Sequence, residues 1–123
     1  MDRTTPSSIL IIGEDSNVCY LLRSYARRSS FQAVYSCQGA HAVEVAGRDR
    51  PSIILLDLDL PAHSGWSVLQ ALKHNPGTQH IPVVIYTWLD EHELCLQAGA
   101  SHCLRMPILY ADFLDALVQS GVR

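Results

Sequence analysis

The sequence predicts an α/β fold, a parallel β-sheet with helices on both faces. Three observations carry this. Five short apolar runs alternate with five amphipathic segments, the pattern left by βαβ crossovers. The run at residues 52–56 (SIILL) is apolar after its first serine, as a strand covered on both faces requires. Acidic or polar residues follow several runs directly, at the sheet edge where such proteins bind ligands.

The elements follow in order. Residues 8–12 (SILII) form the first strand and stop at Gly13-Glu14-Asp15. Over 17–29, Val18, Leu21, Leu22 and Tyr25 share one helical face. Residues 31–36 alternate apolar and polar, as a half-exposed strand does. Ala40, Val43 and Ala46 give 39–48 a helical spacing that Pro51 ends. The strand at 52–56 runs into Asp57, and Ser64 is placed to cap a helix burying Val68, Leu69 and Leu72. Asn75-Pro76-Gly77 breaks that helix. Residues 81–86 (IPVVIY) form a strand that meets Thr87. Asp90 and Glu93 have the spacing of a capping box before Leu94 and Leu96, and Gly99 suits the stop. A weak strand at 101–105 and a helix marked by Tyr110, Phe113, Leu114 and Leu117 complete the chain.

Composition narrows the function. The 123 residues fit a single domain, 1–123, with its core at about 8–120. Apolar residues at 48% suffice for one core and argue against disorder. Nine basic and twelve acidic residues give a net charge of −3, which disfavours direct nucleic-acid binding. No apolar run is long enough to cross a bilayer, and no secretory signal is legible, so the expected location is cytoplasmic. Cys19, Cys37, Cys95 and Cys103 form no C-x-x-C pair and read as reduced, mostly buried thiols. His92, Cys95, His102 and Cys103 lack the paired short spacings of a structural zinc site.

The chemistry concentrates after the strands. Glu14, Asp15 and Asp57 should meet at one edge, where like charges raise one another's pKa. A hard cation removes that repulsion, and Mg²⁺ favours one or two carboxylates plus water and phosphate oxygens. Beside such an ion Asp57 is a candidate nucleophile toward phosphorus, with Thr87 supplying a hydroxyl. The plainer alternatives are helix capping by Glu14 and Asp15 and local backbone bonding by Thr87.

These residues carry a resemblance. The segments ILIIGED, IILLDLDLPAHSGW, IPVVIYT and AGASHCLRMP, with D-x-x-x-P-x-x-x-G at Asp57, Pro61 and Gly65, resemble the receiver domain of bacterial response regulators over essentially the whole chain. The resemblance implies a flavodoxin-like (βα)5 fold with strand order 2-1-3-4-5. It implies a signalling domain of two-component phosphorelay systems rather than an enzyme. Asp57 would be the phosphoacceptor, and a histidine kinase or phosphotransfer protein the donor. Asp15 and Asp57 would bind Mg²⁺ directly, Glu14 through water, and Asp59 through its backbone carbonyl. Thr87 would be the switch hydroxyl that draws its loop toward the phosphoryl group. Output would pass to a downstream protein, and weak homodimerisation is compatible with the pattern.

Three positions depart from the family. Met106 stands where a lysine normally contacts the phosphoryl group, and a thioether offers no positive charge. Arg105 is adjacent, but strand alternation aims it at the opposite face. Cys103 replaces the aromatic switch residue, and Trp88 takes a position usually held by alanine or glycine, where it could crowd the site. The alternative reading is therefore a pseudo-receiver that binds a partner without phosphorylation. A third, the D-x-D of haloacid-dehalogenase-like phosphatases at Asp57 and Asp59, would need a later lysine. The only lysine, Lys73, lies in a predicted helix.

Overall fold

A computed structural model describes residues 7–60 and 65–121. Strands and helices alternate: β1 (Ser8–Ile12), α1 (Ser16–Arg28), β2 (Ala33–Cys37), α2 (Ala42–Asp49), β3 (Ile53–Asp57), α3 (Gly65–His74), β4 (Val83–Thr87), α4 (His92–Gln97), β5 (His102–Arg105) and α5 (Tyr110–Gln119). All strand pairs are parallel, in the order β2-β1-β3-β4-β5. This is the order that the resemblance implied.

Side-chain alternation splits the core into two layers. Leu10, Ile12, Ile54, Leu56, Val83 and Ile85 pack under α2, α3 and α4. Their neighbours Ile9, Ile11, Ile53, Leu55, Val84 and Tyr86 pack under α1 and α5. A fully buried side chain of this size contributes about 1.5–3 kcal/mol relative to exposure. The central strands are therefore the most strongly determined part of the fold. The chain turns opposite ways from β1 and β3, so their carboxyl ends flank the crevice of the switch point.

Several local expectations shift. A 3-10 turn at Gly39–His41 precedes α2. Its tighter winding changes the phase, so Gly39 and Ala42 are buried while Ala40 is exposed. Arg50, at φ 48°, supplies the left-handed stop before Pro51. The capping box at Asp90 and Glu93 does not form. α4 starts one residue later than that box requires, with Glu91 at the N-cap and no side-chain cap bond. It turns Cys95 inward and leaves Leu94 and Leu96 exposed. Gly99, at φ 106°, does follow α4 as its stop. Ser64, the expected cap of α3, lies outside the described residues, as does Pro61.

Of the four cysteines, Cys95 is buried, the other three are half-buried, and all are free thiols. Cys95 and Cys103 touch, with Sγ atoms 3.1 Å apart, and burial pushes the Cys95 thiol up to about 12. His92 and His102 also meet, ring centroids 5.8 Å apart. No group of three or more metal-ligating side chains converges among the described residues. Nor is any described helix long and apolar enough to cross a membrane.

Candidate functional site

The carboxyl ends of the central strands open into a cleft of about 380 Å³ lined by Glu14, Asp15, Val18, Asp57, Asp59, Tyr86, Trp88 and Met106. Parallel pairing brings these residues together: β1 delivers Glu14 and Asp15, β3 ends at Asp57, and β4 contributes Tyr86, while its last residue, Thr87, is buried behind the lining. Gly13 makes the first approach feasible. A Cβ there would lie 2.5 Å from the Tyr86 hydroxyl and 3.6 Å from Asp57 Cβ.

Asp15 is the N-cap of α1. Its Oδ1 accepts from the backbone N–H groups of Asn17 and Val18, at 2.9 and 3.1 Å. The capping role weighed from sequence is thus real, and it fixes the Asp15 carboxylate at the cleft wall. Asp57 is half-buried, and its Oδ1 accepts the Asp59 backbone N–H at 2.8 Å. Asp59 is exposed, and its carboxylate accepts from Thr87 and Trp88. Thr87 is completely buried. Trp88 is 61% exposed at the cleft rim.

Four carboxylates line the cleft, and among the described residues no lysine or arginine does. Met106 points a half-buried thioether at them, and Arg105 is exposed and outside the lining. Lys73 is engaged elsewhere, donating to the carbonyls of Gln79 and Ile81 at 3.1 and 2.8 Å. It therefore cannot serve a D-x-D phosphatase site, which leaves that alternative without its lysine.

The charge imbalance is visible in Asp57. Burial pushes its carboxyl above the ordinary aspartate value, and the nearby Asp59, Asp15 and Glu14 charges push the same way. The Asp59 N–H bond opposes them. A raised pKa means the folded state holds this proton more tightly than the unfolded chain. Its stabilising contribution is full below the unfolded value and lost as pH rises through the folded one. At neutral pH the ionised Asp57 therefore costs stability. Asp57→Asn should melt higher than wild type at pH 7 without divalent cations, and lose that advantage as pH falls below the aspartate range. Thermal melts at both pH values check this.

The donor types suit a hard divalent cation, although among the described residues the carboxylates are not gathered into a preformed metal cluster. Carboxylate oxygens, with charge repulsion left uncompensated, are what Mg²⁺ binds. Two direct carboxylates, a carbonyl and water need no preformed cage. The sequence missed two wall residues, Tyr86 and Val18, whose apolar bodies read as core. Within the receiver reading it gave Asp59 a backbone role, and its carboxylate entered only as the second acid of the D-x-D phosphatase alternative.

Comparison with known proteins agrees with this geometry. Residues 9–118 match the family model described as the response regulator receiver domain. The response regulator PleD of Caulobacter vibrioides is 36% identical over 103 residues, 81% of this chain. The chain spans only 23% of PleD's length. The polar-differentiation response regulator DivK of Brucella anthropi is 28% identical over 115 residues, covering 91% of this chain and 94% of DivK. Among solved structures, the bacteriophytochrome response regulator RtBRR superposes with a TM-score of 0.82 at 26% identity, over 97% of this chain and 80% of that one. A CheX–CheY–BeF3–Mg complex from Borrelia burgdorferi gives 0.85 at 20% identity, over 96% and 91%. At that identity the likeness speaks for the fold alone.

Proposed function

Because the chain belongs to the response regulator receiver family of two-component signalling, we propose that Asp57 accepts a phosphoryl group from a histidine kinase or phosphotransfer protein. The observation that carries this reading is the half-buried Asp57 at the end of β3, sharing its cleft with Glu14 and Asp15. An Asp57 carboxylate oxygen attacks phosphorus. The bond from phosphorus to the donor nitrogen or oxygen breaks, leaving an acyl phosphate on Asp57 and the electron pair on the donor. Asp15, Asp57 and the Asp59 backbone carbonyl would hold Mg²⁺, with Glu14 acting through water. The ion supplies charge neutralisation for the incoming phosphoryl oxygens. The residues themselves position the nucleophile: the Asp59 N–H orients one Asp57 oxygen, and the α1 cap fixes Asp15. Output passes to a downstream protein by surface contact.

A second reading has its own observation. With Met106 in the lining, the described residues of the cleft include no lysine or arginine, which favours a pseudo-receiver that engages its partner unphosphorylated. Intact mass after incubation with acetyl phosphate and Mg²⁺ separates the two. The proposal expects a gain of one phosphoryl group in wild type and none in Asp57→Ala. No gain in folded wild type, where a control receiver is modified, selects the pseudo-receiver.

A further inference from the structure

The busiest acceptor in the cleft is a side chain with no assigned role. The Thr87 hydroxyl donates to the Asp59 carboxylate, 3.0 and 3.1 Å from its two oxygens. The Trp88 backbone N–H donates to Asp59 Oδ2 at 3.1 Å. Thr87 Oγ1 in turn accepts the Leu89 N–H at 3.1 Å. One carboxylate just after β3 thus organises three consecutive residues where β4 ends. Hydrogen bonds to an ionised acceptor are stronger than neutral ones.

This arrangement competes with phosphorylation. A threonine hydroxyl has one proton to donate. While Asp59 takes it, a phosphoryl oxygen on Asp57 cannot. The two acids are two residues apart and joined by the Asp59 N–H to Asp57 Oδ1 bond, so an added phosphoryl group would also repel the Asp59 carboxylate. Among the described residues, no cationic side chain in the cleft lining offsets that repulsion.

We infer that Asp59 is a positioning residue whose carboxylate stands in for the phosphoryl group at the switch hydroxyl. It holds Thr87 and the Trp88 backbone drawn in before any phosphoryl group arrives, and it must let go for Thr87 to bond to one. The competition rests on the phosphoacceptor reading of Asp57, whereas the holding does not.

Wild type, Asp59→Asn and Asp59→Ala test it, since an exposed loop position tolerates both changes. The first measurement is the Trp88 backbone amide by NMR, without metal or phosphoryl analogue. Wild type should show a downfield, exchange-protected amide. Asp59→Ala should shift it upfield and speed its exchange by about tenfold or more. An unchanged amide overturns the inference. The second measurement is titration with beryllium fluoride and Mg²⁺. Asp59→Ala should bind about tenfold more tightly than wild type, and Asp59→Asn should gain clearly less, because its amide oxygen still accepts from Thr87. Equal gains would mean that only charge was removed, and the competition would be refuted. Failure of all three proteins to bind the analogue sinks the phosphoacceptor reading instead, and the amide comparison alone then decides whether Asp59 holds the loop.

Discussion

Replacing Gly65 with alanine should cost the fold about 3 kcal/mol or more, the upper range for overpacking. A Cβ at this position would lie 2.5 Å from Leu58 Cα, 2.6 Å from Leu58 O and 2.8 Å from Asp57 O. All three are backbone atoms, so no side chain can rotate away. Either the segment after β3 or the start of α3 must retreat. α3 carries Val68, Leu69 and Leu72 into the core, so its retreat opens the layer it shares with α2 and α4. Domains of this size are stable by roughly 5–15 kcal/mol, so the loss is a large fraction of the whole. Gly47 is the control. It lies within α2 with nothing within 4 Å of its would-be Cβ. Alanine there should stabilise by about 0.5–1 kcal/mol. Urea denaturation of both variants reads the contrast, and a Gly65→Ala midpoint near wild type would show that the close approach can relax.

Met106→Lys should strengthen binding of phosphoryl analogues at the cleft by roughly tenfold to a hundredfold. That range is what a charge-assisted hydrogen bond of about 1.5–3 kcal/mol converts to. The position is well anchored: the Met106 N–H donates to the Thr87 carbonyl at 2.7 Å, and the side chain already lines the cleft with four carboxylates. An ammonium there would also lower the cost of ionising Asp57. Titration with beryllium fluoride and Mg²⁺ measures the gain. An unchanged affinity in a folded variant would mean that the missing cation is not what limits the site.

The central layers were legible because their determinant is local. β1, β3 and β4 are apolar at nearly every position, and only a sheet covered on both faces accepts such strands. Ends were less legible. The run starting at Ile81 becomes a strand only at Val83, because Pro82 has no N–H for the ladder. α4 was harder still, since six residues carry little periodic signal and the residues suited to a cap stand one position out of register. The site divides in the same way. Glu14, Asp15 and Asp57 could be brought together from strand ends alone, by the switch-point rule. The strand order came from the resemblance. The bond from Thr87 to Asp59 depends on how two loops meet, and no periodicity encodes that. Exposure of Trp88 was hidden for the same reason.

The engagement of Lys73 has a practical consequence. It is the only lysine in 123 residues, and its ammonium is tied to two carbonyls between the end of α3 and the start of β4. An amine-acylating reagent therefore meets one side-chain target, half-buried, which reacts faster when that junction opens. The rate of acylation at Lys73 becomes a clock for local breathing at a point remote from the cleft, readable from the mass of the peptide that holds it, apart from the N-terminal amine. Run with and without a ligand in the cleft, the same clock would register whether filling the site quiets the far end of the sheet.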